Sequence, residues 1–212
     1  MAVFKIGFLL LAYILAVLQG WKGLGGYGLG LVPAWWRNLL KGLLIGLIAF
    51  AFSFLLSLQW GYDRIILFPS IQAIVQQLPM ILLMTSIPSV AEDILTRGYL
   101  FGHLSKLMNK NTWVLLSAAV FVLNHIWRLN DGAAVISYLF LLGLALAYAV
   151  WNTRSLWLAF GIHWGANIAF ESTNSLWQTE SLVAHKGSTW LLAGSWGVVL
   201  IIFALFQRHK NG

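Results

Sequence analysis

The sequence predicts an all-α, polytopic membrane protein with about eight transmembrane helices in a single domain, residues 1–212. Three observations favour this fold class. The 212 residues are 60% hydrophobic, and their mean hydropathy is +0.81. Only 9% are charged, against about a quarter in an average soluble domain, so most of the surface is expected to face lipid. Apolar runs of about 17–25 residues, the length that crosses a bilayer core, follow one another along the chain.

Eight apolar segments have the length of a transmembrane helix. They are about 3–19, 39–59, 65–87, 90–108, 112–129, 133–151, 155–172 and 189–207. No small-x-small cleavage site follows the first, and further spans come after it, so it is predicted to be a retained helix rather than a signal peptide. The fourth is the least apolar, and its acidic pair needs neighbouring helices for shelter.

The charged residues indicate membrane orientation rather than nucleic-acid binding. The net charge is +7, but the thirteen Lys and Arg residues are scattered singly between apolar runs, as loop charges that meet lipid headgroups would be. With eight spans both termini share one side, and a seven-to-five excess of basic residues there predicts that the termini are cytoplasmic. The expected location is a bacterial inner membrane. The absence of cysteine excludes disulfides, thiol nucleophiles and cysteine metal ligands.

The segment "AEDILTRGYL", residues 91–100, concentrates charge in an otherwise apolar chain. Each ionisable group inside a bilayer costs about 2.5–3.5 kcal/mol on insertion scales, so it calls for a partner or a function. Asp93 and Arg97 are four residues apart, which predicts an ion pair along one helix face. Glu92 is five residues from Arg97 and has no such helical partner, so its carboxylate is expected to point elsewhere.

Two later spans also carry polar side chains. In "FVLNH", His125 follows Phe121 by four residues, and in "HWGAN", Asn167 follows His163 by four, on the same helix face. A single helical histidine is usually a packed core residue. Two histidines on separate spans, together with Glu92 on a third, are instead a set that could bind a metal or activate a water molecule.

The three motifs, in this order, resemble those of the CPBP family of intramembrane proteases, also called the Abi or CAAX-protease-like group. The family patterns are Glu-Glu-x-x-x-Arg, Phe-x-x-x-His and His-x-x-x-Asn, and the resemblance covers a core of about residues 85–170. Position 93 departs from the pattern, because it is Asp where the family usually has a second Glu.

The resemblance implies a peptide hydrolase that acts within or near the bilayer. Eukaryotic members remove the last three residues from prenylated CAAX proteins, and bacterial members are linked to bacteriocin immunity. The implied substrate is a protein or peptide, lipidated ones included. By resemblance Glu92 is the general base, helped by His125, while His163 and Asn167 stabilise the oxyanion. The Asp93–Arg97 pair would hold the helix of Glu92, and Phe121 belongs to the second motif.

Metal dependence is open at this stage. Glu92, His125 and His163 could ligate zinc and leave a fourth position for water. The chain has no His-Glu-x-x-His motif, however, and a carboxylate that serves as a ligand is less available as a base. A metal-free water activated by Glu92 and His125 is therefore the favoured interpretation, and zinc is the alternative.

Two other functions remain as alternatives. A transporter or channel would have its polar residues strung along the membrane normal, whereas a peptidase needs them at one depth. A scaffold or immunity-type protein would keep the fold without catalysis, and Asp93 is the feature that favours it.

Overall fold

The computed structural model describes residues 2–182 and 186–211, and most of them are helical. The helices are α1 (Ala2–Leu18), α2 (Trp35–Gln59), α3 (Ile71–Asp93), α4 (Tyr99–Leu104), α5 (Lys110–Leu123), α6 (Ala133–Thr153), α7 (Trp157–Ser175) and α8 (Gly187–Asn211). Two short 3₁₀ segments, Gly23–Tyr27 and Ile126–Asp131, lie in connections. The all-α prediction is confirmed apart from a two-stranded antiparallel ribbon, in which β1 (Asp63–Ile65) pairs with β2 (Thr179–Ser181).

The predicted spans 65–87 and 90–108 are one helical run rather than two. A π-helical turn, Ile94–Gly98, joins α3 to α4 without a break, so that Ile71–Leu104 is continuous. In the sequence, the low hydropathy of residues 92–97 predicts a break between two spans. In the structure these charged side chains are buried against partners, and the helical run continues through this segment. The described residues therefore contain seven long helical runs instead of the eight that were predicted.

Large apolar side chains are exposed along the outer faces of α1, α2, α3 and α8. Among the residues that the structure describes, four runs are long and apolar enough to cross a membrane: Trp35–Gln59, Ile71–Leu104, Ala133–Thr153 and Gly187–Gln207. Exposed apolar surface on this scale fits a lipid environment, because soluble monomers rarely carry large contiguous apolar patches.

The helix ends form two groups at opposite ends of the bundle. At the end we call the loop end, Leu156 donates its backbone N–H to Gly28, and Lys110 bonds the side chains of Asn152 and Gln207. These contacts join the 19–34 connection, the start of α5 and the ends of α6 and α8. At the ribbon end, β1 and β2 pair, and Leu182 donates to the carbonyl of Tyr62.

Helices α2 and α7 approach closely along a glycine seam. Each contributes a Gly-x-x-x-Gly pair, Gly42 with Gly46 and Gly161 with Gly165. A Cβ added at Gly46 would lie 2.2 Å from the carbonyl oxygen of Ile162, and one at Gly161 would lie 2.3 Å from that of Leu39. Small residues permit such backbone contact in membrane helices. The seam fixes the back of α7, whose other face carries His163.

Candidate active site

Glu92 and Asp93 are the last residues of α3, immediately before the π-helical turn. π-Helical turns are rare in proteins, and those that occur often lie at functional sites. Two hydroxyls accommodate the local change in backbone pairing: Thr96 donates to the carbonyl of Glu92 at 2.7 Å, and Ser117 of α5 donates to that of Thr96 at 2.9 Å. The turn is thereby fastened to α5, and both carboxylates face the interior of the bundle.

Asp93 is fully buried and has two partners. Its Oδ1 accepts from the Arg97 guanidinium, so the ion pair expected from the i, i+4 spacing is present. The same oxygen lies 3.0 Å from Nδ1 of His163 on α7, a contact that the sequence analysis did not anticipate. Asp93 therefore links its own helix to the helix of a candidate catalytic histidine.

Phe121 is the packing centre of the site. The guanidinium carbon of Arg97 stacks 4.6 Å from the centroid of its ring. The rings of His125 and His163 lie edge to face with it, at centroid separations of 4.7 Å and 5.6 Å. The aromatic ring of the second motif thus packs against the Arg97 guanidinium and against both imidazole rings.

His125 lies just past the end of α5 rather than within the helix, because α5 ends at Leu123 instead of extending to about 129 as predicted. Its Nδ1 is 2.9 Å from the carbonyl oxygen of Phe121. A carbonyl only accepts, so Nδ1 carries the proton and Nε2 of a neutral ring is left as an acceptor. The Asp93 carboxylate, which accepts from Nδ1 of His163, fixes the same tautomer in the His163 ring.

The free nitrogens of both histidines point at one oxygen of Glu92. Nε2 of His125 is 3.6 Å from Glu92 Oε2, and Nε2 of His163 is 3.8 Å from the same atom. Both distances exceed a hydrogen bond, and in neutral rings all three atoms are acceptors. A small donor such as a water molecule is what this geometry accommodates.

Asn167 lies one turn beyond His163 on α7, as its spacing predicts, but it contacts none of the three converging side chains directly. Its Nδ2 donates to Ser89 Oγ on α3 at 2.9 Å. The amide has a second N–H on the same nitrogen, which can donate elsewhere. Ser89 is a further buried residue that the sequence analysis did not single out.

Lys5 is the other residue that sequence reasoning missed. It was counted among the loop charges, but its Nζ is 2.9 Å from Glu92 Oε1. The available signal was its position, since Lys5 is the only charged residue between positions 2 and 18 of an otherwise apolar helix.

The residues as placed fit a water molecule better than a zinc ion. Within residues 2–182 and 186–211, no group of three His, Asp or Glu side chains has an arrangement that could hold a metal. The Lys5 ammonium on Glu92 would also repel a divalent cation bound to the same carboxylate.

With this geometry in hand, the comparison with known families is informative. Residues 74–169 match the family model described as type II CAAX prenyl endopeptidase Rce1-like. This match is consistent with the CPBP, or CAAX-protease-like, group. The segment contains all three motifs, from Glu92 to Asn167, as well as the two helices α5 and α6 between them. No curated protein and no solved structure matches the chain significantly.

The match to the Rce1-like model, which is CAAX-protease-like, agrees with the resemblance that the motifs carry. The match, together with the long apolar helices, is consistent with a membrane protein related to this peptidase family. Helices α1, α2 and α8 lie outside the matched segment, yet α1 supplies Lys5 and α2 forms the glycine seam behind His163. The family core is thus completed by elements that the family model does not include.

Proposed function

We propose that this chain is an intramembrane endopeptidase that hydrolyses a peptide bond in or near the bilayer, with a water molecule activated by Glu92 and His125. The observation that carries the proposal is the convergence of two imidazole nitrogens on Glu92 Oε2, at 3.6 Å and 3.8 Å. A transporter needs a chain of polar groups across the membrane, and these groups instead gather around one point.

In the proposed reaction the water oxygen attacks the peptide carbonyl carbon while its proton passes to Glu92 Oε2. A base positioned in this way contributes about 10²–10⁴-fold to a rate. The carbonyl oxygen becomes an oxyanion, which accepts hydrogen bonds from Asn167 and from Nε2 of His163 in its protonated, imidazolium form. The proton then moves from Glu92 to the amide nitrogen, the C–N bond breaks, and the acid and amine that form are released as a carboxylate and an ammonium after proton exchange.

Asp93 and Phe121 have supporting roles in this proposal. The Asp93 carboxylate on His163 Nδ1 can balance positive charge that develops on the ring, as the buried aspartate does in hydrolytic triads. Its shorter side chain, where the family pattern has Glu, suits this contact with His163 at 3.0 Å. In the corresponding place, Nδ1 of His125 lies against the backbone carbonyl oxygen of Phe121, which orients the ring but carries no full charge to balance an imidazolium.

The proposed substrate is a membrane-associated protein or peptide, with lipidated C-terminal segments as the first candidates because of the family match. The test is hydrolysis of fluorogenic peptides, with and without a prenyl group, by protein purified into lipid nanodiscs. Glu92→Gln keeps the shape of the side chain and removes the base, so the rate should fall about 10²–10⁴-fold.

Glu180→Gln is the matched control, since Glu180 lies on the exposed ribbon and pairs with Arg64. It should keep the parental rate. Equal hydrolysis by parent and Glu92→Gln would contradict the mechanism, and a folded parent that cleaves no peptide would favour the scaffold alternative. Loss of activity on chelation, restored by stoichiometric zinc, would replace the metal-free mechanism by the zinc-dependent one.

A further inference from the structure

The first turns of α1 bring a cation to the candidate base. Lys5 Nζ lies 2.9 Å from Glu92 Oε1, and the side chains are 20% and 11% exposed. We infer that Lys5 is a positioning residue of the active site: its ammonium holds Oε1 and so presents Oε2 to the two histidines. This inference rests on the proposed function, in which Glu92 is the base.

The position of Lys5 is set by how α1 packs. Ala12 and Ala16 are buried on the inner face of the helix, and the Tyr27 hydroxyl donates to the carbonyl of Ala12 at 3.1 Å. These contacts anchor the middle of α1 about two to three turns from Lys5. A lysine near a helix end usually extends towards the membrane surface, whereas Lys5 pairs with the buried carboxylate instead.

The two oxygens of Glu92 have different surroundings as a result. Oε1 is occupied by the ammonium, and Oε2 faces Nε2 of His125 and of His163. The terminal torsion of a glutamate is broad and roughly two-fold, so an unpaired carboxylate would rotate freely between its two oxygens. A charge-assisted hydrogen bond to one oxygen fixes which of them meets the water.

The contact between Lys5 and Glu92 also predicts which kinetic constant depends on α1. Lys5 touches neither imidazole among its described contacts, and it acts on the water only through Glu92. Its replacement should therefore lower kcat and leave KM nearly unchanged. A residue that bound the substrate would show the opposite division.

The experiment compares Lys5→Met and Lys5→Arg with the parent in the nanodisc peptidase assay. Lys5→Met should lower kcat by about 10- to 100-fold, a part of the 10²–10⁴-fold that a positioned base supplies. Lys5→Arg should retain more activity, because a guanidinium also donates to a carboxylate. Lys106→Met, at an exposed position between α4 and α5, is the matched control and should behave like the parent.

Lys5→Cys provides a second route if the methionine variant does not fold. The chain has no natural cysteine, so 2-bromoethylamine would convert this one side chain to an aminoethyl thioether that carries an ammonium at nearly the position of Nζ. Activity lost in Lys5→Cys and recovered after aminoethylation supports the inference. No recovery in a protein that mass spectrometry shows to be fully modified overturns it.

The remaining outcomes separate the inference from the proposed function. Parental kcat in Lys5→Met, with Glu92→Gln still inactive, overturns the role of Lys5 alone. A raised KM with unchanged kcat, or an equal loss in Lys106→Met, overturns it as well. Parental activity in Glu92→Gln would show that Glu92 is not the base, and the proposed mechanism would then fail together with the inference.

Discussion

Asp93 binds two groups, the Arg97 guanidinium and the His163 ring, through a single carboxylate oxygen, and this sets its expected behaviour on substitution. Arg97→Ala leaves a fully buried carboxylate without its cation, and breaking a buried pair in this way typically costs about 3–5 kcal/mol. Asp93→Ala strands the guanidinium and also frees His163. We expect both variants to lose thermal stability in detergent, and Asp93→Ala to lose activity in addition.

The double variant distinguishes a true pair from two independent effects. Removing both side chains leaves no stranded charge, so Asp93→Ala/Arg97→Ala should be less destabilised than the sum of the single variants. Thermal unfolding of all four proteins measures this coupling. Strict additivity would mean that the two side chains do not interact in the folded protein.

At this scale the sequence predicted the local Asp93–Arg97 ion pair but not the contacts that these residues make with other helices. The spacing of Asp93 and Arg97 was sufficient to predict their ion pair, because a helix fixes neighbours at i and i+4. The contacts of Lys5 with Glu92 and of His163 with Asp93 span 87 and 70 residues of sequence. Such contacts depend on how separate helices pack, and no local pattern encodes that packing.

The position of α7 depends on its close packing against α2 along the glycine seam. Its seam with α2 has no room for a side chain, so Gly46→Ala and Gly161→Ala should push the helices apart. Overpacking of this kind typically costs about 1–3 kcal/mol. Because His163 lies two residues from Gly161, the peptidase rate should fall together with the melting temperature.

Gly194→Ala is the control for the seam, since nothing lies within 4 Å of a Cβ added there on α8. Alanine is favoured over glycine in a helix by about 1 kcal/mol, so this variant should be as stable as the parent or more so. Seam variants that melt with the control would contradict the close packing of α2 on α7.

The element boundaries show where sequence patterns are sufficient. The predicted span 133–151 agrees with α6. A uniformly apolar segment has the same high hydropathy whether the helix faces lipid or is buried in the bundle. The run Ile71–Leu104 was divided because hydropathy counts Glu92, Asp93 and Arg97 as costs of exposure to lipid. Their burial against Lys5, His163 and each other removes that cost, and only the packed structure supplies this information.

On the scale of the whole molecule, the helix order changes the expected topology. The loop end carries Lys22, Arg37, Lys41, Lys106, Lys110 and Arg154, and the last turns of α8 add Arg208 and Lys210. The ribbon end carries Arg64, Arg128 and Lys186. Eight basic residues against three is a stronger asymmetry than the sequence count of seven to five, and it favours a cytoplasmic loop end.

The cytoplasmic C-terminus stays a prediction. Because the described residues form seven long helical runs, we expect the start of α1 to lie on the opposite side. A reporter that is active only in the cytoplasm should work when fused after Gly212. The same reporter inserted after Leu182, beside the ribbon, should be inactive. The reverse result would invert the orientation.

The unbroken run from Ile71 to Leu104 has a consequence for the surrounding lipid. Its 34 residues extend about 51 Å at 1.5 Å per residue, whereas a bilayer core is about 30 Å thick. The run must tilt, project from the membrane or distort the bilayer near it, and each adjustment depends on acyl-chain length. Since Glu92 lies on this run, peptidase activity in vesicles of short-chain lipids should differ from that in long-chain lipids, while Ile71→Ala, at the exposed start, should leave the difference unchanged. Membrane thickness would then act on the peptidase as a mechanical input, delivered through a helical run that is much longer than the bilayer core is thick.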